Sequence, residues 1–191
     1  FIDPTIPDWI LSDPTRLRQI LFNLVGNAFK FTDKQKSRIK IEITPLLKPD
    51  GVTQLEIRIA DNGIGMDSEL ISKLFKPFTQ GDVSTARKFG GTGLGLSITR
   101  HLVHLLNGDI QVSSALGEGS AFTIQLPLNT TDKPLTEEFE NMPNLSAISV
   151  IAVVTSPDVS HVLSAYLSKA GAKVITVGDI EQAEAEHRQN P

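Results

Sequence analysis

Residues 54–75 read QLEIRIADNGIGMDSELISKLF, and the middle of that stretch decides how the chain is built. QLEIRIA alternates apolar and polar residues, the mark of a strand with one face buried. DNG after such a run is the usual signal for a hairpin turn, which requires a second alternating strand to follow. None does. MDSELISKLF instead has Asp67 or Ser68 in position to cap a helix, then apolar residues at helical spacing. A strand that ends in Asp, Asn and two glycines before a helix is either an ordinary connection or a backbone stripped of side chains so that something can lie against it.

Around this stretch the composition is that of a globular chain. It has 191 residues, 40% hydrophobic and 21% charged, enough for one full domain and part of a second. The formal net charge of −4 provides no basic field for nucleic acid. The lack of cysteine excludes disulfides, thiolate zinc sites and thiol nucleophiles. The longest apolar run, AISVIAVV, is far below the roughly 20 residues of a membrane span, so the chain is expected not to be membrane-inserted. No signal peptide is visible, and the abrupt start at FIDPTIPDWI reads as a cut from something larger.

Upstream, SDPTRLRQILFNLVGNAFKFT opens with Ser12 or Asp13 as helix cap and Pro14 where its missing N–H costs nothing. Leu17, Ile20, Leu21, Leu24, Val25 and Ala28 give this helix one apolar face. RIKIEITPL and TQLEIRIA read as paired strands around the turn KPDG. Downstream, LGLSITRHLVHLLNG predicts a helix ending at Gly108, and DIQVSS and SAFTIQLPL predict the last strand pair. Helix, two strands, helix, loop, helix and two strands make an α+β domain over 1–128, with helices layered on a mostly antiparallel sheet. PLNTTDKPLTEEFENMPNL, with three prolines and no periodicity, places a linker at 129–145. From 146 to 191 the order β-α-β-α is the opening of a doubly wound module.

Three features carry chemistry. GGTGLGLSIT puts Gly90, Gly91, Gly93 and Gly95 just before a helix, where free N–H groups without Cβ atoms suit phosphate; a structural loop accounts for them equally well. Asn23, Asn27 and Lys30 form a polar stripe at i, i+4 and i+7, either the solvated side of an amphipathic helix or a hard oxygen ligand for Mg²⁺ next to a phosphate-binding ammonium. Asp61, at the end of its strand, can accept hydrogen bonds from an exocyclic amine such as that of adenine, with glycines beside it that admit a flat ring. Together they compose an ATP site.

In this order NLVGNAFKFT, DNGIGM, LFKPFTQGD and GGTGLGL resemble the four boxes of the catalytic ATP-binding domain of sensor histidine kinases, over about residues 12 to 128. The resemblance implies a two-layer α/β sandwich of the histidine kinase/gyrase ATPase type, a mixed sheet covered by helices on one face, with ATP under a mobile lid. Carried over, Asn27 is the Mg²⁺-binding asparagine, with Asn23 one turn before it and Lys30 reaching phosphate. Asp61 reads adenine, backed by Gly63 and Gly65. Phe75 and Phe78 pack and anchor the lid, about Thr79 to Gly90, whose Arg87 and Lys88 neutralise the γ-phosphate. Gly91, Thr92, Gly93, Leu94 and Gly95 hold the phosphates. The assigned catalytic residues are thus Asn23, Lys30 and Arg87.

The phosphoacceptor histidine of that family lies on a separate dimerisation helix. His101, His104, His161 and His187 have none of its sequence setting, and His101 and His104 read as surface or packing residues. The expected activity is therefore transfer of the γ-phosphoryl group of ATP to a histidine on a domain outside this sequence. A response regulator or phosphotransfer domain follows in the relay. Residues from 146 resemble the start of a receiver, as in a hybrid kinase. Where receivers carry paired acids after the first strand, however, this chain has Thr155 and Ser156, and Asp158 falls in the helix start. That departure points to a degenerate or truncated module serving as a docking surface. Two other readings stay open: an ATP-hydrolysing relative, against which Asn23 stands in place of the glutamate that activates water, and a nucleotide-binding pseudokinase scaffold. The expected state of this piece is a monomer, from the cytoplasmic part of a membrane-anchored sensor.

Overall fold

A computed structural model describes residues 1–32, 38–77, 93–130 and 144–189. The chain divides into two compact units, one of Phe1–Ile2 with Trp9–Thr131 and the other of Asp3–Asp8 with Asp132–Pro191.

In the first unit, α1 spans Pro14–Phe31. Of the two candidate caps it is Asp13 that starts it, accepting the N–H groups of Thr15 at 3.0 Å and Arg16 at 3.1 Å. At the other end the Thr32 hydroxyl donates to the Ala28 carbonyl at 2.6 Å. Strands β1 (Ile39–Leu47), β2 (Thr53–Asp61), β3 (Asp109–Ala115) and β4 (Gly119–Pro127) form one sheet in the order β1-β2-β4-β3. All three pairings are antiparallel. The parallel component of the expected mixed sheet is the bridge from Ile2 to Ile43 on the outer edge of β1. Pro45, which has no N–H to give a ladder, stands on this edge strand.

Two further helices of this unit fall among the described residues, α2 (Ser68–Lys73) and α3 (Gly95–Leu105). The core lies between the sheet and α1 and α3. Leu55, Ile57 and Ile59 of β2 and Phe122, Ile124 and Leu126 of β4 meet Ile20, Leu24 and Ala28 of α1 and Val103 of α3, all buried. The opposite face is polar: Glu42 pairs with Lys40 and Arg58, and the Gln125 amide joins Glu56 and Lys48. A sheet covered on one side follows from that alternation.

The end of α3 differs from the sequence expectation. Asn107, not Gly108, takes the left-handed backbone, at φ 58°. The N–H of Asn107 bonds the His104 carbonyl at 2.9 Å and that of Gly108 bonds the Val103 carbonyl at 3.0 Å, a Schellman ending. Gly108 is needed for close packing instead, since a Cβ there would lie 2.5 Å from both the Gln125 carbonyl oxygen and Leu126 Cδ2.

The second unit contains β5 (Ser149–Val153), α4 (Pro157–Lys169), β6 (Lys173–Val177) and α5 (Ile180–Gln189). Strands β5 and β6 pair in parallel, as a β-α-β crossover requires. Pro157 opens α4 and Asp158 supplies the acid of its first turn. The Ser160 hydroxyl donates to Thr176 Oγ1 at 2.8 Å, tying α4 to β6. Residues 129 and 130 at the start of the expected linker pair with 10 and 11: Leu11 donates to the Asn129 carbonyl at 2.8 Å, and Ile10 bridges Thr130. No helix among the described residues is long and apolar enough to cross a membrane.

Candidate nucleotide site

The 61–66 turn and the start of α3 both meet α1, which carries Asn23, Asn27 and Lys30. At its C-terminal end the Phe31 carbonyl accepts the N–H of Ile64 at 3.1 Å, which docks the 61–66 turn on the helix. A Cβ on Gly63 would run into that carbonyl and into the Asp61 carboxylate. Gly65, at φ 67°, faces the Ala115 carbonyl in the same way, while Gly119, at φ 98°, faces the main chain of Asp61 and Asn62. Gly117 donates to the Ile64 carbonyl at 2.8 Å, and Met66 donates to Ser114 Oγ at 2.8 Å. What lies against the stripped backbone is thus the protein's own chain: α1 on one side and the β3–β4 hairpin on the other. The glycines shape the turn, and the turn aims Asp61.

Asp61 closes β2 opposite Ser120 and Ile39. Its Oδ1 accepts the Gly63 N–H at 2.8 Å. Burial raises the carboxyl above its ordinary value, against the opposing pull of the Gly63 and Ser120 N–H groups. A half-buried acceptor that is partly desolvated is well suited to a neutral donor such as an amine. Asn62 has a separate task, since its Oδ1 accepts the Arg38 N–H at 2.7 Å and extends the β1–β2 pairing.

Asn23, Asn27 and Lys30 are all half-buried on α1. Lys30 Nζ stands 4.9 Å from the centroid of the Phe31 ring. Asn23 faces the start of α3: its Nδ2 donates to Thr99 Oγ1 at 2.6 Å, and its Oδ1 would lie 2.5 Å from a Cβ on Gly95. Gly93 takes φ 70°, Leu94 precedes the helix without a side-chain cap, and Gly95 is its first residue. Asn23 and Phe31, the contact points of α3 and of the 61–66 turn, are eight residues apart on α1, about 12 Å along the axis. Asn27 is midway between them. Among the described residues no three His, Cys, Asp or Glu side chains cluster to hold a metal.

Phe75 packs its ring 5.5 Å from the Arg100 guanidinium of α3. Phe78, Arg87, Lys88, Gly90, Gly91 and Thr92, with the whole expected lid, lie outside the described residues. Thr99 escaped the sequence reading. Its one signal is a hydroxyl four residues before Val103, inside the buried stripe of α3. An open surface groove beside α1 and α3 is lined by Arg18, Phe22, Ile98 and Leu102, with Asn23 and Thr99 also on its wall.

The profile of histidine kinase-, DNA gyrase B-, and HSP90-like ATPases matches residues 12–130. The chain is similar to the autoinducer 2 sensor kinase/phosphatase LuxQ of Vibrio cholerae, 42% identical over 65% of this chain and 14% of that protein. It is also similar to the sensor histidine kinase AruS of Pseudomonas aeruginosa, 35% identical over 99% of this chain and 18% of that protein. The chain therefore spans less than a fifth of the length of these relatives. Among solved structures, full-length ShkA in complex with AMPPNP superposes with a TM-score of 0.65 at 29% identity, over 96% of this chain and 35% of that one. The catalytic domain of the histidine kinase ThkA gives a TM-score of 0.51 at 29% identity, over 63% of this chain and 71% of that one. The chain belongs to the histidine kinase-, DNA gyrase B- and HSP90-like ATPase family.

Proposed function

We propose that the first unit binds Mg-ATP and donates its γ-phosphoryl group to a histidine on the dimerisation domain of the same kinase. The observation that carries this is the placement of two recognition ends on one helix, the Asp61 turn at Phe31 and the start of α3 at Asn23, with Asn27 between them. Asp61 accepts the exocyclic amine of adenine, and Gly63 and Gly65 hold the turn that presents it. The N–H groups around Gly93, Leu94 and Gly95, with Gly91 and Thr92 before them, receive the phosphates. Bound Mg²⁺ would neutralise phosphate charge, and the Asn27 amide oxygen suits it as a hard ligand. Lys30 adds a point charge on the phosphate side, as do Arg87 and Lys88 from the lid. Such a transfer depends on positioning and charge neutralisation, which these residues can supply.

Asn23 disfavours hydrolysis as the main outcome. An amide cannot take a proton from water, and this one donates to Thr99. The domain limits we assign are 1–128 for the catalytic unit, 129–145 for the linker and 146–191 for a receiver-like module. Thr155 and Ser156 in the acidic positions make that module a docking surface. Downstream partners are a response regulator or phosphotransfer domain, and the parent is a membrane-anchored sensor with this part in the cytoplasm. The test is incubation with Mg²⁺ and γ-labelled ATP beside the parent's histidine-bearing helical hairpin. Acid-labile label on the hairpin, lost in Asn27→Asp and Asp61→Asn, supports the proposal. Free phosphate without labelled hairpin identifies an ATPase instead, and neither product leaves a nucleotide-binding scaffold.

A further inference from the structure

We infer that Thr99 is a positioning residue, which through Asn23 sets the spacing between α1 and the phosphate-facing start of α3. The inference deepens the nucleotide reading above and rests on it. Thr99 is 1% exposed and shares the buried stripe of α3 with Val103, at 0%. A hydroxyl in such a position has a desolvation cost that valine, of the same shape, does not have. Its partner across the helix pair is the Asn23 amide, 76 residues away in sequence and 2.6 Å away in space. One helical turn earlier, Gly95 leaves just the space that the same amide fills, because a Cβ there would meet Asn23 Oδ1 at 2.5 Å. Hydroxyl and missing methyl together form a socket for one side chain.

The socket acts at the end of α3 that faces phosphate. Asn23 is one turn from Asn27 on α1, so its anchorage fixes where the metal-binding amide stands relative to the N–H groups of Gly93 to Gly95. A ligand that touches both helices, as a metal-bound triphosphate does, depends on that spacing. One that touches only the Asp61 turn does not.

The test compares Thr99→Val and Thr99→Ser with the wild-type chain. Affinity for Mg-ATP is measured by titration calorimetry, affinity for metal-free adenosine by chemical-shift titration, and the melting temperature alongside. Thr99→Val is expected to weaken Mg-ATP about tenfold, the effect of one hydrogen bond, leave adenosine within about twofold, and melt no lower than wild type. Thr99→Ser is expected to recover most of the Mg-ATP affinity. Unchanged Mg-ATP binding in Thr99→Val overturns the inference. So does an equal loss for both ligands with a lower melting temperature, or a serine variant as weak as valine. A wild-type chain that binds adenosine and Mg-ATP equally well, or neither, refutes the nucleotide reading itself and the inference with it.

Discussion

Replacing Gly65 with alanine puts a methyl group where the Ala115 carbonyl already is, at a backbone φ of 67°. Two costs add. The left-handed conformation takes about 1–2 kcal/mol from any residue with a Cβ. The β3–β4 turn must then move, which breaks the bonds from Gly117 to the Ile64 carbonyl and from Met66 to Ser114 Oγ, at about 1 kcal/mol each. The expected loss is about 3–4 kcal/mol, a large part of the stability of a small domain. Two other glycines serve as controls. Gly117, at φ 78° with no atom within 4 Å of its would-be Cβ, carries only the conformational cost, about 1–2 kcal/mol. Gly26, inside α1 and equally open, should gain about 0.5–1 kcal/mol as alanine. Urea unfolding read by the fluorescence of Trp9, the single tryptophan and part of the first unit, measures all three. A Gly65→Ala loss within 1 kcal/mol of the Gly117→Ala loss, or destabilisation by Gly26→Ala, would refute the account of the turn.

Asp61 makes a pH-dependent prediction. Its carboxyl is raised from the ordinary 3.8 by burial, so the folded state holds the proton more tightly than the unfolded one. Stability from this group is highest below 3.8, falls as pH rises through the folded value, and stays low at neutrality. Asp61→Asn lacks that falling step; its unfolding free energy relative to wild type should climb across that window, and a relative decline in urea titrations at several pH values would contradict this. At the end of α3, Asn107→Val should cost about 1–2 kcal/mol because valine is strained at φ 58°, whereas Asn107→Gly should be near neutral. Equal melting temperatures for the two variants would dismiss the Schellman ending.

The elements of the first unit were legible because each advertises its period or its ends: Pro14 with helical spacing for α1, alternation for β1 and β2, and a strand-turn-helix at 54–73 with no second strand. Caps were legible only to within a neighbour. Ser12 and Asp13 have similar propensities, and only the bonds to Thr15 and Arg16 choose between them. Gly108 was read as the end of α3 because glycine prefers positive φ, but packing against Gln125 and Leu126 claims it and leaves Asn107 to turn the chain. The glycines at 63 and 65 were visible as a stripped backbone, although what they admit comes from residues 31 and 115, too far away in sequence for any local pattern to disclose. Thr99 was hidden for the same reason. Its partner is 76 residues upstream, and a threonine in an apolar stripe looks like packing until that bond is seen.

The central claim is that a nucleotide lies along α1 with its base on Asp61, and base selectivity tests it most directly. ATP and inosine triphosphate differ at the exocyclic group that Asp61 would accept from, and both carry the same phosphates and metal. A hydrogen bond to an ionised acceptor is worth roughly 1.5–3 kcal/mol, so the wild-type chain should bind Mg-ATP at least about tenfold more tightly than the inosine analogue. Asp61→Asn should abolish the difference by weakening ATP alone. Equal affinities in the wild-type chain, or a preference that persists in Asp61→Asn, would contradict it.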